Sequence, residues 1–386
     1  MLDLNIIDTL RSGCVIPAHP LALKPDRKLD ERRQKALTRY YLASGAGGLA
    51  VGVHTTQFAI HKPRIGLYQP VLELAVETAK QSAVSTPHQL ALSETVVPSP
   101  APCKTVSGQL VRGSEPIMIA GIVGNTNHAV KEARLAQDLG YHLGLLSLTA
   151  LKGKSINELV DHARQVAQII PVMGFYLQEV ISKMVLPIEF WQKFVEIPNV
   201  LAIKISPFNR YQTLDVLEAV AHSGRAGEVA LYTGNDDNII SDLLTRYEFN
   251  VNGRPISLHI VGGLLGQWAC WTKRAVEYLT HIKTIRGSPV RDPVDDIPIP
   301  QQMLTLAEQL TLANKAIFDA DNHFAGCIPG ISYVLKRQGL MEELTALNPD
   351  EQLSPGQADK IDRIRHDYPH LTDDDFVNDN LHKWLY

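Results

Sequence analysis

Lys204 stands inside the apolar run Val200-Leu201-Ala202-Ile203-Lys204-Ile205. A lysine is seldom fully buried without a partner or a task. Burial disfavours the ammonium, and the neutral amine is the form that attacks a carbonyl carbon to give an imine. Bringing the ordinary pKa of ~10.4 close to neutrality requires about 4 to 5 kcal/mol of destabilised charge. The alternative for such a lysine is an ammonium paired with a carboxylate. Tyr176 closes the preceding apolar run. A phenol beside an amine can shuttle protons; the other reading is a core aromatic with its hydroxyl at an edge. Further polar candidates follow other apolar runs: His19, His54, Thr55, Gln57, Asn125, Asn235, Asp236 and the pair Gly262-Gly263. His54, with an ordinary pKa of ~6.5, suits acid–base work at neutral pH, and suits equally a residue bonded to a backbone carbonyl.

These residues need a frame that brings the ends of several strands together. Apolar runs begin at Gly13, Gly48, Pro116, Leu143, Pro171, Pro198, Glu228 and Ile256, and helical patterns follow them. From Pro116 onward they start about 27 to 30 residues apart. Continuously apolar strands imply a sheet buried on both faces, hence parallel. Eight such units predict an α/β fold of the (β/α)8 TIM-barrel type, with functional side chains at the strand C-terminal ends. A doubly wound open sheet is the alternative, weakened by the lack of GxGxxG after the first strand. Asp30 is the expected N-cap of a helix carrying Leu37, Tyr40 and Tyr41 on one face. Its basic residues Arg32, Arg33, Lys35 and Arg39 read as a solvated outer face. Ser155 and Glu158 have capping-box spacing. The stretch 85-112, rich in Pro, Ser and Thr, reads as an insertion with little regular structure. The barrel is expected over 1-285. A C-terminal helical extension is expected over 286-386, with one helix opened by Ser354-Pro355-Gly356-Gln357 and a tail anchored by Phe376, Leu381 and Trp384.

The chain has 386 residues, 45% hydrophobic and 20% charged, with a net charge of -4. That balance gives no basic bias toward nucleic acid or membrane surfaces. No apolar run approaches the ~18 residues of a membrane span. Met1-Leu2-Asp3-Leu4-Asn5 does not open a signal peptide. Cys14, Cys103, Cys270 and Cys327 are widely spaced, which fits a reducing cytoplasm better than a disulfide framework or zinc ribbon.

Four stretches together resemble the dihydrodipicolinate synthase / N-acetylneuraminate lyase family of Schiff-base aldolases. Pro198-Asn199-Val200-Leu201-Ala202-Ile203-Lys204 is similar to its lysine strand, and Pro171-Val172-Met173-Gly174-Phe175-Tyr176 to its tyrosine strand. Gly121-Ile122-Val123-Gly124-Asn125-Thr126 resembles its G-x-G-x-N-(S/T) loop, and Thr233-Gly234-Asn235-Asp236 its S-G-D-D turn. The resemblance implies a lyase or aldolase acting on a 2-oxo acid or aldehyde, without metal or other cofactor, in a homodimer or homotetramer. It implies Lys204 as imine lysine and Tyr176 as proton relay. His54 stands where the family has a relay threonine. Thr55, Gln57, Asn235, Gly262 and Gly263 are the expected substrate contacts. The sequence also departs from the family. The carboxylate-binding G-T-T-G-E loop falls on Val53-His54-Thr55-Thr56-Gln57, and the second tyrosine falls at Ala150-Leu151. The synthase arginine falls at Ile181, with Arg210 a possible substitute.

Two other functions compete. A metal-dependent barrel hydrolase would use His19, His54, His259 and Asp236, although no HxH or HExxH is present. A non-catalytic member would bind a small ligand and keep the lysine without the reaction.

Overall fold

The computed structural model describes residues 2–84, 115–287 and 297–386. The expected insertion at 85-112 lies outside them. Among the described residues nine strands form: β1 (Val15–Pro17), β2 (Gly48–Val51), β3 (Ile117–Ile122), β4 (Leu143–Leu146), β5 (Val172–Leu177), β6 (Val200–Ser206), β7 (Ala230–Thr233), β8 (Arg246–Val251) and β9 (Arg254–Leu265). All but β8 are parallel neighbours in the order β1-β9-β7-β6-β5-β4-β3-β2. A parallel bridge between Ala18 and Ala50 joins the two ends. The His19 N–H donates to the Ala50 carbonyl at 2.8 Å and closes the sheet into a (β/α)8 barrel.

The barrel separates two apolar cores. Side chains alternate between its faces, as pleating requires. Ile16, Ala50, Ile119, Leu145, Met173, Phe175, Ala202 and Tyr232 fill the interior. Ile6 and Leu10 of the N-terminal helix Leu4–Ser12 join that cluster. Tyr232 donates to the Leu10 carbonyl at 2.8 Å, tying the helix to the interior. Val172, Tyr176, Val200, Ile203 and Ile205 face outward into the layer under the helices. Over β5 this layer is aromatic, with Phe190, Trp191 and Phe194 of helix Ile188–Val195 all buried. Each such side chain contributes about 1.5–3 kcal/mol of burial.

The expected helix starts at Asp30 and Ser155 both form. Asp30 accepts from the Arg33 N–H at 3.1 Å, and Ser155 exchanges bonds with Glu158. Hairpin strand β8 was not expected, although its turn is an Asn252-Gly253 pair. Both turn residues take positive φ (53° and 80°), as a two-residue hairpin turn demands.

The C-terminal helices Gln301–Ile317, Cys327–Arg337, Gln357–Asp367 and Asp374–Trp384 share the outer core with the barrel. Here two expectations change. The basic face of helix Glu31–Ala43 is not simply solvated. Arg33 donates to the Gly339 carbonyl, Arg39 to the Trp384 carbonyl at 2.6 Å, and Arg32 stacks 5.0 Å from the Tyr386 ring. Tyr40 on the same helix donates to Asp373 at 2.7 Å and packs on Trp384 and Phe376. The helix at Gln357 does form, but Ser354 does not cap it in the usual way. Gly356 is its left-handed N-cap (φ 77°), and the Ser354 hydroxyl goes to Asp319. No helix among the described residues is long and apolar enough to cross a membrane.

Candidate active site

β6 turns Ala202 and Lys204 into the barrel. Lys204 is 7% exposed. Its Nζ lies 4.4 Å from the Phe175 ring centroid, and among the described residues it has no hydrogen bond or ion pair. Burial lowers its pKa to about 8, against an upward pull from Asp236 and then Cys327. The amine therefore loses its proton far more readily than a solvated lysine. The turn after β7 passes directly over the side chain. A Cβ at Gly234 would sit 2.6 Å from Lys204 Cε and 2.7 Å from Ser206 Cβ, so a larger residue there would push the lysine or β6 aside.

Two groups act on this amine, and it acts on a third. Asp236, two residues past Gly234, is partly exposed, and its Oδ1 accepts from the Gln267 N–H at 3.1 Å. Burial raises its pKa, opposed by that N–H and by Lys204. His54, in the short 3-10 turn His54–Thr56 after β2, is pushed down to about 4 by burial and then by the charge of Lys204. It is thus a neutral imidazole at pH 7, not the group near 6.5 that its unperturbed pKa suggested. Cys327 opens helix Cys327–Arg337, and burial keeps it a thiol. A cavity of about 510 Å³ lies between the strand ends and helix Gln301–Ile317. Its walls include Phe208, Asp236, Asp237, Asn314, Lys315 and Phe324, but not Lys204, so Asp236 links cavity and amine.

The other residues singled out in the sequence fare unevenly. Tyr176 is the main correction. It pairs in register with Ile205, whereas Phe175 pairs with Lys204. Tyr176 therefore points outward, where its hydroxyl accepts from the Leu186 N–H at 3.2 Å and its ring packs on Trp191 at 5.3 Å. Burial raises its pKa to about 12. Phe175 takes the inward place expected of a phenol.

Thr55 is close to the mouth, but its hydroxyl donates to the Ala18 carbonyl at 2.7 Å. Gln57 accepts from the Leu347 N–H at 2.7 Å and holds the C-terminal region. Asn235 bonds Thr213, Asp242 and the Phe208 N–H, so it braces the loops from behind. Gly262 gives room to the Cys14 backbone and the Tyr232 ring, and Gly263 to Trp268. Gln57, Asn235 and the two glycines thus serve packing and loop support where substrate contact was expected. Arg210 is taken up by Asp242 and Tyr247. His19 bonds Gln34 and Thr38, and His259 bonds the Thr245 carbonyl. These histidines do not gather with His54, and among the described residues no three His, Cys, Asp or Glu side chains converge as a metal site needs.

Sequence reasoning missed Phe175 and Cys327, and it named Asp236 as a strand-end candidate but gave it a chemical role only in the metal reading. Cys327 carries no local signal, because it arrives from a helix more than a hundred residues beyond Lys204. Asp236 had one: it stands two residues past a glycine at a strand end.

No family model matches the sequence, and a search of curated proteins finds no match. Solved structures do match. Dihydrodipicolinate synthase from Acinetobacter baumannii, solved with pyruvate, superposes with a TM-score of 0.67 at 16% identity, over 92% of this chain and 99% of that one. N-acetylneuraminate lyase from Fusobacterium nucleatum gives 0.65 at 14%, over 93% and 99%. Dihydrodipicolinate synthase from Bacteroides thetaiotaomicron gives 0.66 at 15%, over 92% and 98%. The chain thus has the fold that dihydrodipicolinate synthases and N-acetylneuraminate lyases share.

Proposed function

We propose that the protein is a divergent class I lyase or aldolase of the dihydrodipicolinate synthase / N-acetylneuraminate lyase family, acting on a 2-oxo acid through a Schiff base on Lys204. The observation that carries this reading is the amine itself: buried, without a hydrogen-bonding or ionic partner among the described residues, and lowered to about 8 at a strand C-terminal end near a cavity. Keeping an unpaired ammonium in such a place is costly, and a structural lysine would have been given a carboxylate at bonding distance. The neutral amine attacks the keto carbon, water leaves, and the resulting iminium draws electrons from the neighbouring carbon. His54, as a neutral imidazole, offers a hydrogen bond at the mouth. With the Thr55 hydroxyl given to Ala18 and the Thr56 N–H to the Val53 carbonyl, the substrate carboxylate falls to the backbone N–H groups of His54 and Thr55. Tyr176 has no part in this scheme.

The test is borohydride reduction in the presence of pyruvate and a panel of longer 2-oxo acids, followed by peptide mass spectrometry. A reduced adduct on Lys204, absent from Lys204→Ala, is expected. No adduct with any panel member contradicts the proposal.

One observation favours a second reading. With Phe175 where a phenol would stand, the site suits a protein that holds a small ligand without turning it over. In that case ligand binding, read by calorimetry, survives in Lys204→Ala.

A further inference from the structure

An imine cannot be made or used without moving protons. The hydroxyl expected to move them, on Tyr176, is on the far side of the sheet, and Phe175 offers none. The titratable groups that act on Lys204 are Asp236 from the loop after β7 and Cys327 from the C-terminal helix, while His54 from the loop after β2 is acted on by the amine. Burial holds His54 as a neutral imidazole and Cys327 as a neutral thiol. Only Asp236 both acts on the amine and lines the cavity.

Its surroundings hold Asp236 in place without neutralising it. The Gln267 N–H fixes Oδ1 at 3.1 Å, and Asn314 donates to the Asp236 carbonyl at 2.6 Å. Thr311, one turn earlier on the same helix, donates to the next carbonyl, of Asp237, at 3.0 Å. No cation stands within ion-pair distance of the carboxyl among the described residues.

We propose that Asp236 is the proton-transfer group of the Lys204 site. The assignment rests on the imine reading above and extends it. The cycle starts with the Lys204 amine neutral and the Asp236 carboxyl protonated. As the nitrogen lone pair forms the C–N bond, the carbonyl π pair moves to oxygen. That oxygen takes the Asp236 proton, and the carboxylate recovers one from nitrogen. Asp236 then protonates the carbinolamine hydroxyl, which leaves as water and gives the iminium. The Asp236 carboxylate next removes a proton from the carbon beside the iminium carbon. The C–H pair forms the enamine, and the carboxyl is restored. Burial raises the Asp236 pKa to about 7, so acid and base forms both exist at neutral pH.

The experiment uses the full chain in D2O with the 2-oxo acid that gives the strongest borohydride adduct. NMR follows replacement of hydrogen by deuterium on the carbon beside the carbonyl. Asp236→Asn keeps the shape and can still accept from Gln267. We expect it to remain folded, to retain a borohydride adduct on Lys204, and to exchange about 100-fold more slowly. Loss of adduct and exchange together in a folded Asp236→Asn protein also supports the assignment, because the acid is needed before the imine forms. Exchange within threefold of the unsubstituted protein overturns it. If Asp236→Asn does not fold, Asp236→Glu is read in its place. A tenfold or greater loss of exchange supports the assignment, and an unchanged rate overturns it. If the unsubstituted protein gives no adduct, the imine reading falls first, and that result is distinct from an Asp236→Asn protein that exchanges normally.

Discussion

Asp236 and Asp242 leave the same strand end six residues apart, and they live differently. Asp242 is wholly buried and saturated. One oxygen accepts from Thr233 at 2.6 Å and Asn235 at 3.0 Å, and the other from Arg210, Asn238 and Tyr247. Asp236 has one backbone N–H, a lysine that acts on it without bonding it, and a cavity in front. A buried charge that is fully hydrogen-bonded belongs to the architecture, because its desolvation is already offset. A buried charge left under-satisfied is a cost that only a ligand or a reaction explains. The Asp242 cluster braces the loops after β6 and β7, and in that frame Lys204 and Asp236 stay unpaired.

Breaking the saturated side has the largest expected effect. Asp242→Ala leaves buried Thr233 and Asn235 without their acceptor and releases the exposed Arg210, and should cost about 2–4 kcal/mol of unfolding free energy in urea titrations. A loss below about 1 kcal/mol would erase the distinction between the two carboxyls.

On the unsaturated side the sign reverses. Lys204→Met should stabilise the protein by about 1–3 kcal/mol at pH 7 while abolishing adduct formation. The folded-state pKa of Lys204, about 8, lies below its ordinary 10.5. The cost of the buried ammonium is therefore fully present below about pH 8. It shrinks as pH rises toward 10.5, where the unfolded lysine also loses its proton, and the advantage of Lys204→Met should shrink with it. Thermal unfolding at pH 7 and pH 10 checks this, and a methionine variant less stable than the parent at pH 7 would contradict it.

The same pKa sets a rate. At fixed 2-oxo acid, adduct formation on Lys204 should rise with pH by up to about tenfold per unit below about 7, as the ammonium deprotonates, and level between about 7 and 8, where the Asp236 carboxyl loses the proton that the cycle starts with. A profile flat from pH 6 to 8 would mean that the amine is not limiting.

The smallest effect sharpens the contrast between the faces of β5. Tyr176→Phe removes one hydrogen bond, to the Leu186 N–H, and should cost about 1 kcal/mol with adduct formation unchanged. Loss of the adduct at intact stability would return Tyr176 to the chemistry.

The architecture was legible because eight apolar runs, evenly spaced from Pro116 onward, admit few arrangements, and Lys204 was legible because a charge interrupts one of them. The face on which each neighbour lies was not. β5 is apolar on both sides, so its pattern cannot tell Phe175 from Tyr176, and the register shift between Val172 and Met173 removes any counting from the strand start. The side groups of the site were harder still. Thr55, Gln57 and Asn235 are polar residues at strand ends, the usual mark of a site, but their bonds go to Ala18, Leu347 and Thr213, partners remote in sequence. The role of the basic helix face was hidden for the same reason, since Arg33 and Arg39 meet a tail more than three hundred residues away.

The central claim is that Lys204 is left unpaired in order to bond a carbonyl carbon. A crystal soaked with pyruvate tests it most directly. The account predicts electron density continuous from Lys204 Nζ to the keto carbon, with the carboxylate against the His54–Thr56 turn and the Asp236 carboxyl facing the new bond. Pyruvate bound apart from Lys204, or an amine closed into a direct ion pair with Asp236, would contradict it.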